Sequence, residues 1–248
     1  MNDAKKIPAS LSQDTILEST FEIRFESNKK QVAELLPGLL YPKIKDLYPE
    51  IEVLVQFNKD SFKENPELMY KPSRRLVGES SMVQLGERVI SLARRKPYGG
   101  WESFKNEIVN LIQAFRECDI VTNTERFSMK YLNVLPSIEN RKDLDMLKLN
   151  AQLGDHNVKE NEAGFSLRTE ILKNNFINII QIIPNANVKS KDEGYSGLLL
   201  EIDTISNFEA QNFFDVHEDF LDLCHQTEKE IFFGIIEDDV IERLGPRW

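Results

Sequence analysis

Ser81-Met82-Val83-Gln84-Leu85-Gly86-Glu87-Arg88-Val89-Ile90-Ser91-Leu92-Ala93 decides the fold reading. Two short apolar runs flank Gly86-Glu87, the pattern of two strands joined by a tight turn. Upstream, Leu76-Val77-Gly78-Glu79-Ser80 reads as a further β-like segment. Downstream, the turn Pro97-Tyr98-Gly99-Gly100-Trp101 opens an amphipathic stretch in which Trp101, Phe104, Ile108, Leu111, Ile112 and Phe115 recur every three or four residues up to Cys118. A strand from Thr124 to Val134 follows and stops at Pro136. Antiparallel hairpins alternating with amphipathic helices place the chain in the α+β class, with helices packed on one face of the sheet.

On the N-terminal side, Leu17, Ser19, Phe21, Ile23 and Phe25 alternate with Glu18, Thr20, Glu22 and Arg24, the period of a half-buried strand whose outer charges pair across the sheet. Ser27 stands as a helix N-cap before Val32, Leu35, Leu36, Leu39 and Leu40, a run expected to bend at Pro37-Gly38 and end at Pro42. Ile51, Val53, Val55 and Phe57 share one side of a next strand.

On the C-terminal side, Gly164–Ile171 and Phe176–Ile183 read as strands joined by Lys173-Asn174-Asn175, and Gly197–Ile205 as a third. The stretch from Pro184 to Ser196 is polar and is expected to be a mobile loop. Asn207 caps a long helix from Phe208 to about Phe232, with Phe213, Val216, Phe220, Leu223, Cys224 and Ile231 as its buried stripe. Residues 1–136 and 137–248 thus form an N-terminal α+β half and a C-terminal α+β half ending in a long acidic helix. Their shared order of strands before a helix admits two related halves, although no residue-level repeat accompanies it.

With 248 residues, 41% of them hydrophobic, the chain is long enough to bury a substantial core. No run approaches the roughly 18 apolar residues of a membrane span, and the N-terminus lacks the apolar core of a signal peptide, so a cytoplasmic protein without membrane attachment is expected. The two cysteines, Cys118 and Cys224, lie in helical patterns and read as buried thiols. The net charge of −10 is uneven. From Glu209 to Trp248 eleven acidic residues face three basic ones; from Lys71 to Lys96 seven basic residues face two acidic ones. These blocks can dock on one another, on a second copy or on separate partners. Non-specific nucleic-acid binding over a net negative body is not favoured.

Catalytic signatures are sparse. His217 and His225 are eight residues apart on the last helix, about 12 Å, too far for a paired helical metal site. The chain contains neither a Gly-x-Ser-x-Gly elbow nor a phosphate-binding Gly-x-x-x-x-Gly-Lys loop. No catalytic residue, metal or cofactor is therefore assigned. Gly99-Gly100 at a helix start, with Arg94, Arg95 and Lys96 upstream and Tyr98 and Trp101 beside them, is the best small-site candidate. The plainer reading is a tight turn whose glycines adopt positive φ, with Trp101 as the first core residue of the helix.

The segments Ile16-Leu17-Glu18 and Glu22-Ile23-Arg24-Phe25, the hairpin Val83-Gln84-Leu85-Gly86, the turn Tyr98-Gly99-Gly100-Trp101, and Arg126 with Lys130-Tyr131-Leu132-Asn133 together resemble a sporadically distributed bacterial family of conserved proteins of about this length with no established function. The resemblance runs over most of the chain, with its motifs in the first 135 residues. It transfers no catalytic residue. Its patchy distribution implies an accessory of phage defence or a toxin-neutralising partner.

The leading expectation is a cytosolic, non-enzymatic interaction protein that binds a protein partner and self-associates as a homo-oligomer. Its surfaces are Arg94, Arg95, Lys96, Tyr98 and Trp101 on one side and Asp215, Glu218, Asp219 and Asp222 on the other. The alternative is an anion- or nucleic-acid-binding enzyme with a site at Tyr98-Gly99-Gly100-Trp101 and a carboxylate from Glu18 or Glu125.

Overall fold

The computed structural model describes residues 7–57, 59–190, 193–206 and 213–248. In chain order its elements are β1 (Ser10–Leu11), β2 (Ile16–Glu26), α1 (Val32–Ile44), β3 (Glu50–Val53), α2 (Lys59–Glu64), β4 (Arg74–Val77), β5 (Ser81–Leu85), β6 (Val89–Arg95), α3 (Trp101–Arg116) and β7 (Asn123–Pro136). They continue with β8 (Gln152–Leu153), β9 (His156–Asn157), β10 (Leu167–Lys173), β11 (Phe176–Ser190), β12 (Glu193–Ser206), α4 (Phe213–Ile235), α5 (Asp238–Arg243) and β13 (Pro246–Arg247). The fold is α+β: a nine-strand antiparallel sheet, ordered β10-β11-β12-β7-β2-β6-β5-β4-β3, with helices packed against it.

Two compact units make up the chain. One comprises Glu18–Met129 and Ile205–Asp222. The other comprises the residues up to Leu17 together with Lys130–Thr204 and Leu223–Trp248.

In the first unit the period-two pattern of β2 turns Phe21, Ile23 and Phe25 toward the helices, where all three are buried. Helix α3 answers with Phe104, Ile108, Leu111, Ile112 and Phe115, and the Phe25 and Phe115 rings meet edge-on at 5.1 Å. The alternate residues of β2 point to the opposite face, where Glu22 pairs with Arg24 at 2.9 Å and with Arg126 at 3.4 Å.

Helix α1 runs through both Pro37 and Pro42, where a bend and an end were expected. Each interior proline forfeits a backbone hydrogen bond, but Val32, Leu36, Leu40 and Ile44 bury a full stripe across both positions, and that burial holds the helix together. Its N-cap is Gln31, with φ 59°, rather than Ser27, whose hydroxyl donates to Ile120 O. The strand expected to carry Ile51, Val53, Val55 and Phe57 ends as β3 at Val53 and lies at the end of the sheet, so it has a partner strand, β4, on one side only.

In the second unit Leu198, Leu200 and Ile202 of β12 and Ile180 and Ile182 of β11 form one core with Ile231 and Phe232 of α4, Ile236 just after it, and Val240 and Ile241 of α5. Asn174 and Asn175, at φ 52° and 63°, make the two-residue turn between β10 and β11. The stretch expected as a mobile loop is instead the outer half of a long hairpin, with β11 continuing to Ser190 and β12 starting at Glu193. Lys191 and Asp192 lie outside the described residues. Period two persists beneath the polar composition: Ala186 and Val188 are half-buried while Asn185, Asn187 and Lys189 are exposed.

The expected cap Asn207 and helix start Phe208 also lie outside the described residues. Helix α4 leaves the helical path at Val216 (φ −128°, ψ 15°), and this resets the phase of the buried stripe. Phe213, Cys224 and Ile231 are buried as expected, but Val216 and Leu223 are exposed, and Leu221, Thr227 and Glu228 are buried in their place. Among the described residues no helix is long and apolar enough to cross a membrane.

Candidate functional site: the charged turn and the free edge strand

Strand register decides what the basic block can do. Arg94 stands opposite Ser19 and Ser81, on the helix-covered face. Arg95 stands opposite Glu18 on the other face and pairs with it at 3.7 Å. Neighbours on a strand point to opposite sides, so Arg94 and Arg95 do not share a surface. The side chain of Arg94 is only 10% exposed and is fully committed: Nε donates to Glu107 at 3.0 Å, and Nη1 donates to Tyr98 O at 3.1 Å and to Ser103 Oγ at 3.0 Å.

Glu107 collects more than Arg94. Its carboxylate also accepts the hydroxyls of Tyr48 and Ser81, so one half-buried acid ties α3 to β5, β6 and the segment before β3. Burial first, and then the Glu107 charge, push the Tyr48 phenol above its ordinary range, so it stays a donor at any physiological pH. Tyr98 is buried against Phe104, ring centroids 5.9 Å apart. Gly99 and Gly100 have φ 75° and 90°, the positive values expected of the turn.

Trp101 is half-buried rather than a core residue, and its Nε1 donates to Asp222 Oδ1 at 3.0 Å. The acidic side of α4 is met by α3 in the same unit. Lys105 pairs with Asp222 at 2.7 Å and with Glu218 at 3.9 Å, and Arg116 pairs with Asp215 at 3.1 Å. The hydrogen bond that Lys105 donates to Asp222 is the main cause holding its ammonium above the usual value. Of the four acidic residues expected as a partner surface, three are therefore engaged by their own chain. Asp219 is exposed. Glu18 and Glu125, the carboxylates considered for a site at the turn, pair with Arg95 and, at 3.4 Å, with Arg88.

His217 and His225 likewise find local partners, Phe214 O and Tyr131 Oη, each at 3.1 Å from Nδ1. The thiols of Cys118 and Cys224 are buried, donating to Ala114 O and Thr204 O, and burial pushes Cys118 up to about 11. A cleft of about 640 Å³ lies at the start of α1, lined among others by Lys29, Lys30, Phe57, Arg74 and Glu87. The Glu87 carboxylate accepts from Ala33 N at 3.1 Å, and Arg74 pairs with Glu34 at 2.9 Å, so the anion position of this helix start is taken by the chain itself.

The strand expected at Ile51 was given no functional role from the sequence, yet β3 has a free edge. Ile51 and Val53 are 47% and 60% exposed, and Leu54 and Val55 continue the apolar run outside the core. Leu54 N donates to Ser73 O at 3.0 Å. With the β3–β4 register, this fixes Glu52 as a residue bonded to β4 and turns the N–H and C=O groups of Ile51 and Val53 toward the open edge. Glu52 is neutralised across the sheet by Arg75, whose Nε donates to it at 2.9 Å. The available signal was the alternation of Glu50, Ile51, Glu52 and Val53 in so short a run: a strand with apolar residues on one side and no length to bury them.

No family model matches this chain, and no match is found among curated proteins.

Proposed function

We propose that this chain is a cytosolic protein-interaction module, not a catalyst, and that β3 is its contact strand. The observation that carries the reading is the open edge at Ile51 and Val53. Main-chain donors and acceptors face outward there beside apolar side chains that the rest of the unit leaves half exposed. An unpaired apolar edge templates the addition of another strand, and the main-chain hydrogen bonds of that strand supply the affinity. The acidic side of α4 is engaged within the fold by Lys105, Arg116 and Trp101 of α3, residues outside the basic run from Lys71 to Lys96. The family resemblance supports a setting in phage defence or toxin neutralisation, where a small accessory protein acts by binding.

The test is a photo-crosslinking amino acid introduced in living cells at Val53 and, separately, at Leu153, which is 76% exposed on another surface. Defined protein adducts from position 53 and none from position 153 are expected. Adducts from neither position would refute the reading.

A further inference from the structure

We infer that the strand added to β3 is β3 of a second copy, paired antiparallel about a two-fold axis through Glu52. This rests on the reading of β3 as a contact strand and adds the identity and register of the partner.

Register follows from which main-chain groups are free. Leu54 N and Val55 N both turn back to Ser73 O, at 3.0 and 3.4 Å, so the outward-facing residues are Ile51 and Val53. An antiparallel partner must place outward residues against outward residues. With the axis at Glu52, Ile51 of each copy faces Val53 of the other, and both pairs exchange two hydrogen bonds. An axis at Val53 would set Ile51 against Val55, whose N–H is already occupied.

Charge and chemistry favour a second copy over a charged peptide. The side chains of Ile51 and Val53 stand on the face of Leu76 and Arg74, and pairing about Glu52 sets apolar against apolar twice on that face. On the other face the row across the joint reads Arg75, Glu52, Glu52, Arg75, which sums to zero because each acid brings its own arginine. Neighbouring Arg74 is likewise neutralised by Glu34. Glu50, exposed on the face of Glu52, stands outside that row, opposite Leu54 of the other copy, so at the centre of the joint the contact is set by the match of Ile51 with Val53. The axis is perpendicular to the sheet, so the helix layers of both copies stay on one side and the two nine-strand sheets become one. This pairing closes on itself. Pairing β3 with β10, the strand at the other end of the sheet, would leave ends that propagate.

The experiment uses the full chain carrying Ile51→Cys or Val53→Cys, both at exposed positions and distinct from the buried Cys118 and Cys224. Each variant is oxidised alone and as an equal mixture, with the unaltered chain as background. Pairing about Glu52 predicts that the mixture forms a disulfide dimer several-fold faster than either variant alone. In sedimentation the unaltered chain should show a dimer that Val53→Lys weakens at least tenfold. Equal rates in all three samples, no cross-linked dimer, or species that grow beyond a dimer would overturn the inference. A photo-adduct from position 53 to a different protein, without a disulfide dimer, would keep β3 as a docking strand and overturn the second copy.

Discussion

Glu107 shows how one residue can decide the meaning of its neighbours. It is a lone carboxylate on the flank of α3, and it accepts hydrogen bonds from Arg94, Tyr48 and Ser81. Replacing it with alanine would remove the acceptor of Arg94 Nε and of the buried hydroxyls of Tyr48 and Ser81, and leave Arg94 without its counter-charge. Glu107→Ala is expected to cost about 3–5 kcal/mol, the usual loss when one member of a buried ion pair is removed. Urea unfolding measures this directly, and a loss below about 1 kcal/mol would contradict the role given to Glu107. Glu228 is the opposite case. It is 5% exposed on α4, and burial raises its carboxyl to about 8. In the unfolded chain the group titrates near 4.3, so between that value and about 8 the folded state holds the extra proton. The stability linked to this proton is complete below pH ~4.3 and lost as pH rises toward 8. Glu228→Gln should therefore stabilise the protein by about 1–3 kcal/mol at pH 8 and change little at pH 4. Thermal melts of both proteins across that range measure the difference, and parallel curves would contradict a buried acidic Glu228.

At the scale of elements, most of the sheet was legible because the patterns of β2, β5, β6 and β7 match their burial: Phe21, Ile23 and Phe25 face the helices while Glu18, Glu22 and Arg24 do not. The stripe of α3 was legible for the same reason. What misled was composition and phase. The outer arms of β11 and β12 are polar, and their alternation at Ala186 and Val188 is carried by small apolar residues. In α4 the departure at Val216 shifts a stripe that a continuous helix would have extended. Arg94 and Arg95 were read as a block of charge, yet the period of the strand sends one into the Glu107 cluster and the other to Glu18. The hairpin arms also explain a tight requirement in β12. Gly197 adopts φ 144°, and a Cβ there would lie 2.1 Å from Leu135 O. Gly197→Ala has to open the backbone approach between β12 and β7 and is expected to cost about 3 kcal/mol or more. An unchanged unfolding midpoint would show that the two strands do not approach so closely.

At the scale of the whole molecule, the basic run from Lys71 to Lys96 and the acidic C-terminal part suggested electrostatic docking on one another, on a second copy or on separate partners. The folded chain uses part of that charge internally, and what it presents at the end of its sheet is a short strand with Ile51 and Val53 exposed and Glu52 paired with Arg75. A four-residue strand is a small contact, so the association is expected to be concentration-dependent rather than permanent, and only weakly affected by salt. The most direct measurement is residue-resolved amide hydrogen exchange of the full chain at low and high protein concentration. Protection of the Ile51 and Val53 amides is expected to rise with concentration, while that of Glu52, already bonded to β4, stays constant. Fast exchange at Ile51 and Val53 at every concentration would contradict the pairing of β3 with a second copy.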